Sequence, residues 1–435
     1  MMPIVRNIKL NIFIRRFSTI TNTKKFPDEI EILNQKFITD EWTNVTPQIL
    51  VKVGKNLHLT PYHPLSHMRQ RIVNYFYKAY KNKAGNPVFS VCDNLSPIVT
   101  VQQNFDSLLV PKHHSSRNKS DCYYINHDKL LRAHTTAHQA ELINMGLDNF
   151  LIVGDVYRRD EIDSTHYPVF HQVDAVRLCT AEEVFKKTNK SELFRLFEDR
   201  EDESDDKQAI HTMEAVKMME YDMKTKLAGL AKTLFGKNVK HRWVDQYFPF
   251  THPSWELEIM YDGDWMEILG CGIIRQNILT NCGVDDKIGW AFGLGLERLA
   301  MCCYEIPDIR LFWSTDTGFL KQFRFEDPDT NVVYQPISIY PQLANDISFW
   351  YPENNNFCVN DFYDIVREVG GDYVEQIDLI DEFVHPKTER KSQCYRIVYR
   401  HMERTLTQKE VNVIHAKIAE TLEKELKVEV RNKKQ

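Results

Sequence analysis

The stretch 150–178, FLIVGDVYRRDEIDSTHYPVFHQVDAVRL, constrains this chain more than any other. An apolar strand ends in Arg158 and Arg159, the loop DEIDSTHYP follows, and Pro168 turns the chain back into a second strand. Side chains alternate with period two along a strand. The return strand therefore sets Phe170, Gln172 and Asp174 on one face. A ring, an amide and a carboxylate that share a buried face must find partners, because unpaired polar groups are costly to desolvate. Either a small polar ligand satisfies them or the face is solvated with an exposed Phe.

Two further stretches carry the same kind of information. In 246–269, QYFPFTHPSWELEIMYDGDWMEIL, alternation pairs Phe248 with Phe250, Glu256 with Glu258, and Trp265 with Glu267. Pro249 marks an edge or irregular strand. Two rings on one face suit an aromatic-binding slot as well as a core. In 270–304, the glycine-rich strand IGWAFGLG runs straight into the helix LERLAMCCY. Arg298 falls in that helix's first turn, where free N–H groups and the helix dipole favour an anion. This turn is neither a Walker loop nor GxGxxG. A plain strand–helix packing turn is the competing interpretation.

Upstream, KLLRAHTTAHQAEL (129–142) crowds His134, Thr136, His138 and Gln139 at a helix start. The i, i+4 histidines allow a zinc reading, but no HExxH or cysteine partner accompanies them.

Around these motifs the chain divides. Apolar spacing predicts a helix over 65–82, with Met68, Ile72, Tyr75, Phe76 and Ala79 on one stripe. Residues 197–206, FEDREDESDD, hold seven acids and read as a solvated loop or insertion. A helix is expected over 208–235, ended by Gly236, and short strands alternate with turns from 239 to 300. Periodicity weakens over 314–338, which suits a linker. The last hundred residues then read as strand 335–340, strand-like 346–350, helix 360–369, strands 373–383 and 393–401, helix 407–424 and strand 426–430. That βαββαβ order is ferredoxin-like. Within it, Lys387, Arg390, Lys391, Arg396, Arg400 and Arg404 outweigh Glu389 and Glu403, a local basic stretch in a chain of net charge −6.

Composition narrows the partners and the compartment. No apolar run approaches the ~18 residues of a membrane span, so a soluble chain with no membrane partner is expected. Nine cysteines without a CxxC pair argue for reduced thiols rather than a disulfide framework. Before Asp28 there is no acid, while Arg6, Lys9, Arg15, Arg16, Lys24 and Lys25 alternate with apolar and hydroxylic residues. That is the pattern of a mitochondrial presequence, expected over 1–23.

Taken together, these segments resemble class II aminoacyl-tRNA synthetases, and within them the phenylalanyl family. The class's motif 2, an Arg-x-Glu strand, loop and return strand, is similar to YRRDEIDSTHYPVFHQ, with Asp160 where the class has Glu. Motif 3, Gly-x-Gly-x-Glu-Arg, is similar to GLGLERL. The stretches resembling the phenylalanyl family are NFDSLLVP (104–111), LRAHTTAHQ (131–139), STHYPVFHQ (164–172), YFPFTHPS (247–254) and EILGCG (267–272). One departure is HSSR (114–117) where that family has HPAR.

The resemblance implies an α+β protein. A class II catalytic domain built on an antiparallel sheet would span 24–333, with a ferredoxin-like anticodon-binding domain over 335–435. It implies a monomer of the mitochondrial matrix that uses ATP and Mg2+ to join phenylalanine to tRNA(Phe). Arg158 would hold the α-phosphate and the amino acid's carboxylate, and Arg298 the γ-phosphate. Phe170 would stack on adenine, with Thr165, His166, Tyr167 and Phe292 bordering the nucleotide. Thr136, His138, Gln139, Gln172 and Asp174 would surround the amino acid's polar end, with His134 and Asp160 close by. Phe248, Phe250 and Ala291 would line the phenyl pocket. Glu256, Glu258 and Glu267 are the candidates for magnesium or the substrate ammonium. A noncatalytic tRNA-binding paralogue and a synthetase for another aromatic amino acid are the alternatives.

Overall fold

The computed structural model describes residues 26–186, 194–199, 202–336, 340–352, 357–386 and 388–431. The expected presequence, Lys387 and part of the acidic stretch lie outside them. A seven-stranded sheet forms the centre: β1 (Ser90–Cys92), β2 (Asn149–Tyr157), β3 (Val169–Thr180), β4 (His241–Phe248), β5 (Thr251–Tyr261), β6 (Asp264–Ile274) and β7 (Lys287–Gly295). Their order across the sheet is β1-β2-β3-β7-β6-β5-β4. Every pairing is antiparallel except β1 with β2.

Three helices cover one face: α1 (Pro64–Ala79), α2 (Met213–Phe235) and α3 (Leu296–Tyr304). Period-two alternation sends Val173, Ala175, Trp290, Phe292 and Leu294 into the helical layer, where they join Phe76, Met219 and Leu299 in the main core. The intervening Val176, Leu178 and Ala291 turn to the opposite face and a smaller core. Helix α1 matches the expected span closely. Helix α2 begins later than 208: Thr212 caps it, while Lys207 and Gln208 are buried. The Lys207 ammonium donates to the carbonyl of His211 at 2.8 Å, and the Gln208 amide donates to those of His252 and Ile274 at 2.9 and 3.0 Å. The acids before it are not simply solvated. Glu203 takes Arg275 at 2.6 Å, and Asp206 takes Lys217 at 3.1 Å.

The C-terminal domain has β8 (Leu343–Trp350), α4 (Val359–Gly370), β9 (Val374–Val384), β10 (Lys391–Tyr399), α5 (Gln408–Leu426) and β11 (Glu429–Val430). Its antiparallel order is β9-β10-β8-β11, and Phe349, Phe362, Tyr395 and Ile418 fill its core. Residues 337–339 of the strand expected over 335–340 lie outside the described residues, and 335, 336 and 340 are not in a strand. The segment 331–336 is irregular, and Tyr334 is anchored by its amide to the carbonyl of Tyr304 at 2.7 Å. The supposed linker thus lies packed on the catalytic core.

The domains share a charged, largely buried seam. Arg159 donates to Asp364 and Asp361, each at 2.7 Å. Asp364 also accepts from the Tyr123 hydroxyl at 3.0 Å, and the Tyr167 hydroxyl donates to Asp372 at 2.9 Å. Arg367 donates to the carbonyls of Asp160 and Glu161. Ile162, from the loop after Arg159, is built into the C-terminal core.

Candidate active site

On the sheet face away from the helices lies a cavity of about 480 Å³. Its lining joins separate parts of the sequence: His134, Thr136 and Gln139; Arg158; Gln172 and Asp174; Phe248 and Phe250; Glu267; and Ala291. Ten residues picked out in the sequence therefore meet in one space. Two glycines make the room. A Cβ at Gly293 would stand 2.8 Å from the Asp174 carboxylate, and one at Gly270 would stand 2.8 Å from the Phe248 ring. Neither position tolerates a larger residue without displacing a wall of the cavity.

The cavity has an apolar end and a polar end. Phe248 and Phe250 stack with centroids 5.8 Å apart and planes 10° from parallel, with the Ala291 methyl nearby on the wall. At the polar end, His134 Nδ1, Gln139 Nε2 and Gln172 Oε1 are buried and have no hydrogen-bond partner among the described residues. Buried polar atoms are rarely left unpaired in a native protein. Three of them along one cavity point to a ligand with donors and acceptors of its own.

Arg158 is tied down at its base, with Nε donating to the Ala133 carbonyl at 2.7 Å, and its guanidinium lies 5.2 Å from the centre of the Phe170 ring. Burial lowers its pKa, against the nearby Cys122, Asp160, Asp174 and Glu267. The Asp174 carboxyl is pushed up to about 6 by burial, although the hydrogen bond from Thr136, the nearby Thr135 hydroxyl and the charge of Arg158 oppose the shift. Burial and the Arg158 charge hold His134 neutral, with a pKa of about 3. Burial, then repulsion from Glu256, raises Glu267, whose carboxylate meets Arg298 at 3.4 Å.

Several expected site residues lie elsewhere. Tyr167 and His166 line a separate crevice between the domains. The Tyr167 ring stacks on Trp313 at 5.8 Å beneath the Lys52 ammonium. His166 and Thr165 both bond Asp163. The loop preceding Pro168 faces the C-terminal domain, which sequence periodicity does not register. Asp160 is held by its backbone carbonyl to Arg367. Phe292 runs along the cavity wall, but its ring stacks on Phe76 at 5.4 Å in the helical layer. His138 does not line the cavity. Its Nε2 accepts from Arg132 at 3.0 Å.

The three glutamates do not form a ready ligand set. Glu258 is engaged by Arg242 at 2.5 Å and Glu256 by Gln246 at 2.9 Å, and no group of three His, Cys, Asp or Glu side chains among the described residues is placed to hold a metal. Glu267 and Glu256 nonetheless repel each other on one face, an arrangement that a cation relieves.

Sequence reasoning missed Arg132. It is 1% exposed, donates to Asp155 at 2.7 Å and supports His138 from behind. Burial pushes the Asp155 carboxyl up, but Arg132, His171 and the Tyr157 hydroxyl together outweigh it and the net shift is downward. An arginine inside the apolar run KLLRA was the available signal.

Comparison with known proteins identifies the arrangement. Residues 50–209 and 198–323 match the tRNA synthetases class II core domain (F), and residues 338–431 match the ferredoxin-fold anticodon binding domain. A class II synthetase core followed by an anticodon-binding module is thus the architecture. The chain is 58% identical over 421 residues to a probable mitochondrial phenylalanine–tRNA ligase of Drosophila melanogaster, covering 93% of each. It is 54% identical to the mitochondrial phenylalanine–tRNA ligase of Mus musculus, covering 92% of this chain and 89% of that one. With the enzyme of that name from Saccharomyces cerevisiae the identity is 38%, covering 94% and 96%. The chain belongs to the mitochondrial phenylalanine–tRNA ligase family of class II aminoacyl-tRNA synthetases.

Proposed function

We propose that this enzyme activates phenylalanine with ATP and transfers it to tRNA(Phe) in the mitochondrial matrix, working as a monomer. The observation that carries the reading is the two-ended cavity. An aromatic slot of Phe248, Phe250 and Ala291 faces a set of unpaired polar atoms and the Asp174 carboxylate, complementary to an aromatic amino acid. The acid-free, six-base N-terminus and the mitochondrial relatives support the compartment. Among the described residues no helix is long and apolar enough to cross a membrane.

In this reading the phenylalanine carboxylate attacks the α-phosphorus of ATP in line. A carboxyl-oxygen–phosphorus bond forms, and the bond to pyrophosphate breaks. The nucleophile is already ionised, so no general base is needed. Arg158 aligns the carboxylate with the α-phosphate, Arg298 receives the γ-phosphate, and Asp174 takes the ammonium group. Alignment and charge neutralisation supply the rate. Magnesium, held through Glu267 and Glu256, would neutralise phosphate charge. A ribose hydroxyl of the tRNA's terminal adenosine then displaces AMP.

Ala291 tests the placement of the ring. Ala291→Gly removes a methyl from the slot and should admit para-chlorophenylalanine. Tyrosine should gain less, since a buried unpaired hydroxyl still costs ~1–3 kcal/mol. Ala291→Val should obstruct phenylalanine itself by ~1–3 kcal/mol of overpacking. The measurement is kcat/KM in pyrophosphate exchange for the three amino acids. If para-chlorophenylalanine stays excluded and the valine variant is unaffected, residue 291 does not line the pocket.

Asp174 gives a pH test. Its folded pKa of about 6 lies above the ordinary 3.8. The proton it retains therefore stabilises the fold fully below the ordinary value, and that contribution is lost as pH rises through the folded pKa. A bound ammonium favours the ionised form, so phenylalanine binding should release a proton near pH ~6, and affinity should fall about tenfold per pH unit below that. Titration calorimetry in buffers of different ionisation heat reads both. An affinity constant between pH ~5 and ~7 would remove Asp174 from the ammonium site.

A further inference from the structure

The ladder between β3 and β7 ends at the pair Gln172 and Gly295. One residue further, β7 becomes α3 and its backbone leaves the sheet. Glu297, in the first turn of α3, takes over where the strand has gone. Its Oε2 accepts from the His171 backbone N–H at 2.8 Å, and its Oε1 meets His171 Nδ1 at 2.6 Å. Both side chains are buried, 0% exposed for His171 and 3% for Glu297.

The neighbours of these two residues matter. His171 stands between Phe170 and Gln172, and Glu297 immediately precedes Arg298. Alternation turns His171 into the helical layer and its neighbours toward the opposite face. Arg298 is half-exposed and reaches Glu267. A single buried carboxylate thus fixes the return strand that carries Phe170 against the helix turn that carries Arg298, with none of its own atoms on the cavity wall.

We infer that Glu297 is a positioning residue for ATP, setting the separation between the ring that stacks on adenine and the arginine that receives the γ-phosphate. This rests on the assignment of Phe170 and Arg298 to the nucleotide made above. Glu297→Gln keeps the size and one accepting oxygen. Its amide N–H would face His171 Nδ1 and drive the ring proton to Nε2, which is buried and unpartnered. The brace then loosens without leaving a cavity.

The expected result for Glu297→Gln is a rise of about tenfold in KM for ATP in pyrophosphate exchange. Equilibrium affinity for phenylalanine alone should stay unchanged, even where the unsatisfied imidazole N–H lowers the melting temperature. In a His171→Ala background the substitution should add less than its separate effect. Glu297→Asp keeps the charge but is too short to make both contacts, and it should give the same signature if the amide variant does not fold. An unchanged KM for ATP in both variants overturns the proposal. So does a parallel loss of phenylalanine affinity and melting temperature, which marks a merely structural pair. Arg298→Ala is the control. If it leaves KM for ATP normal, the nucleotide assignment fails and takes the proposal with it. If it raises KM for ATP while Glu297→Gln does not, the assignment stands and only the positioning role falls.

Discussion

Replacing Arg158 by alanine should lower phenylalanine-dependent pyrophosphate exchange by about a thousandfold or more, with little change in folding. One well-placed donor to a developing charge is worth ~3–4 kcal/mol in a transition state, and Arg158 is assigned two groups, a phosphate and a carboxylate. Its geometry suits that load. The Nε–H is spent on Ala133, which anchors the side chain, while the two terminal nitrogens have no hydrogen-bond partner among the described residues. Arg158 shares the cavity wall with Asp174, Gln172 and Glu267. Arg158→Lys should recover little, because an ammonium cannot present the two parallel donors of a guanidinium. Exchange kinetics with a melting curve for each variant separates catalysis from stability. Near-normal exchange by Arg158→Ala would remove it from the reacting groups.

How much of this was legible in advance depended on whether a residue answers to strand alternation. Phe170, Gln172 and Asp174 share a face because period two dictates it, and the cavity contains the last two with Phe170 beneath Arg158. Ala291 and Phe292 are separated by the same rule, since adjacent residues turn to opposite faces. Three of the residues that lie away from the cavity belong to a loop. Thr165, His166 and Tyr167 follow Asp163 and the domain seam. A long-range contact such as that of Tyr167 with Asp372 leaves no local periodicity. The linker expected near 314–338 reads differently in space: the apolar character of Val332 and Tyr334 is spent on packing against the catalytic core. The basic stretch 387–404 also reads differently in space. Arg390, Arg396, Arg400 and Arg404 are each paired with a carboxylate, so the surplus of positive charge is smaller than the sequence count implies. Buried pairs such as Arg132 with Asp155 stayed hidden because an isolated charge in an apolar run does not name its partner.

The seam supplies the second large effect. Asp364→Ala should destabilise the two-domain arrangement by ~3–5 kcal/mol, the usual result of removing one member of a buried ion pair. The carboxylate is nearly buried and accepts from Arg159, Tyr123 and Arg367 together. Its removal leaves a buried guanidinium with one remaining acidic partner and a buried phenol with none. Asp361 is the comparison: it bonds the same arginine, but its side chain is 47% exposed, so Asp361→Ala should cost at most ~1 kcal/mol. The loss should reach the active site as well. Arg159 adjoins Arg158, and Arg367 of α4 holds the carbonyls of Asp160 and Glu161 in the same loop. Freed from the seam, that loop should position Arg158 less well, and pyrophosphate exchange should fall in Asp364→Ala more than in Asp361→Ala. Denaturant titration followed by domain-resolved proteolysis measures the first effect, and exchange kinetics the second. Equal stability losses in the two variants would mean that burial of the Asp364 pair does not govern how the domains dock.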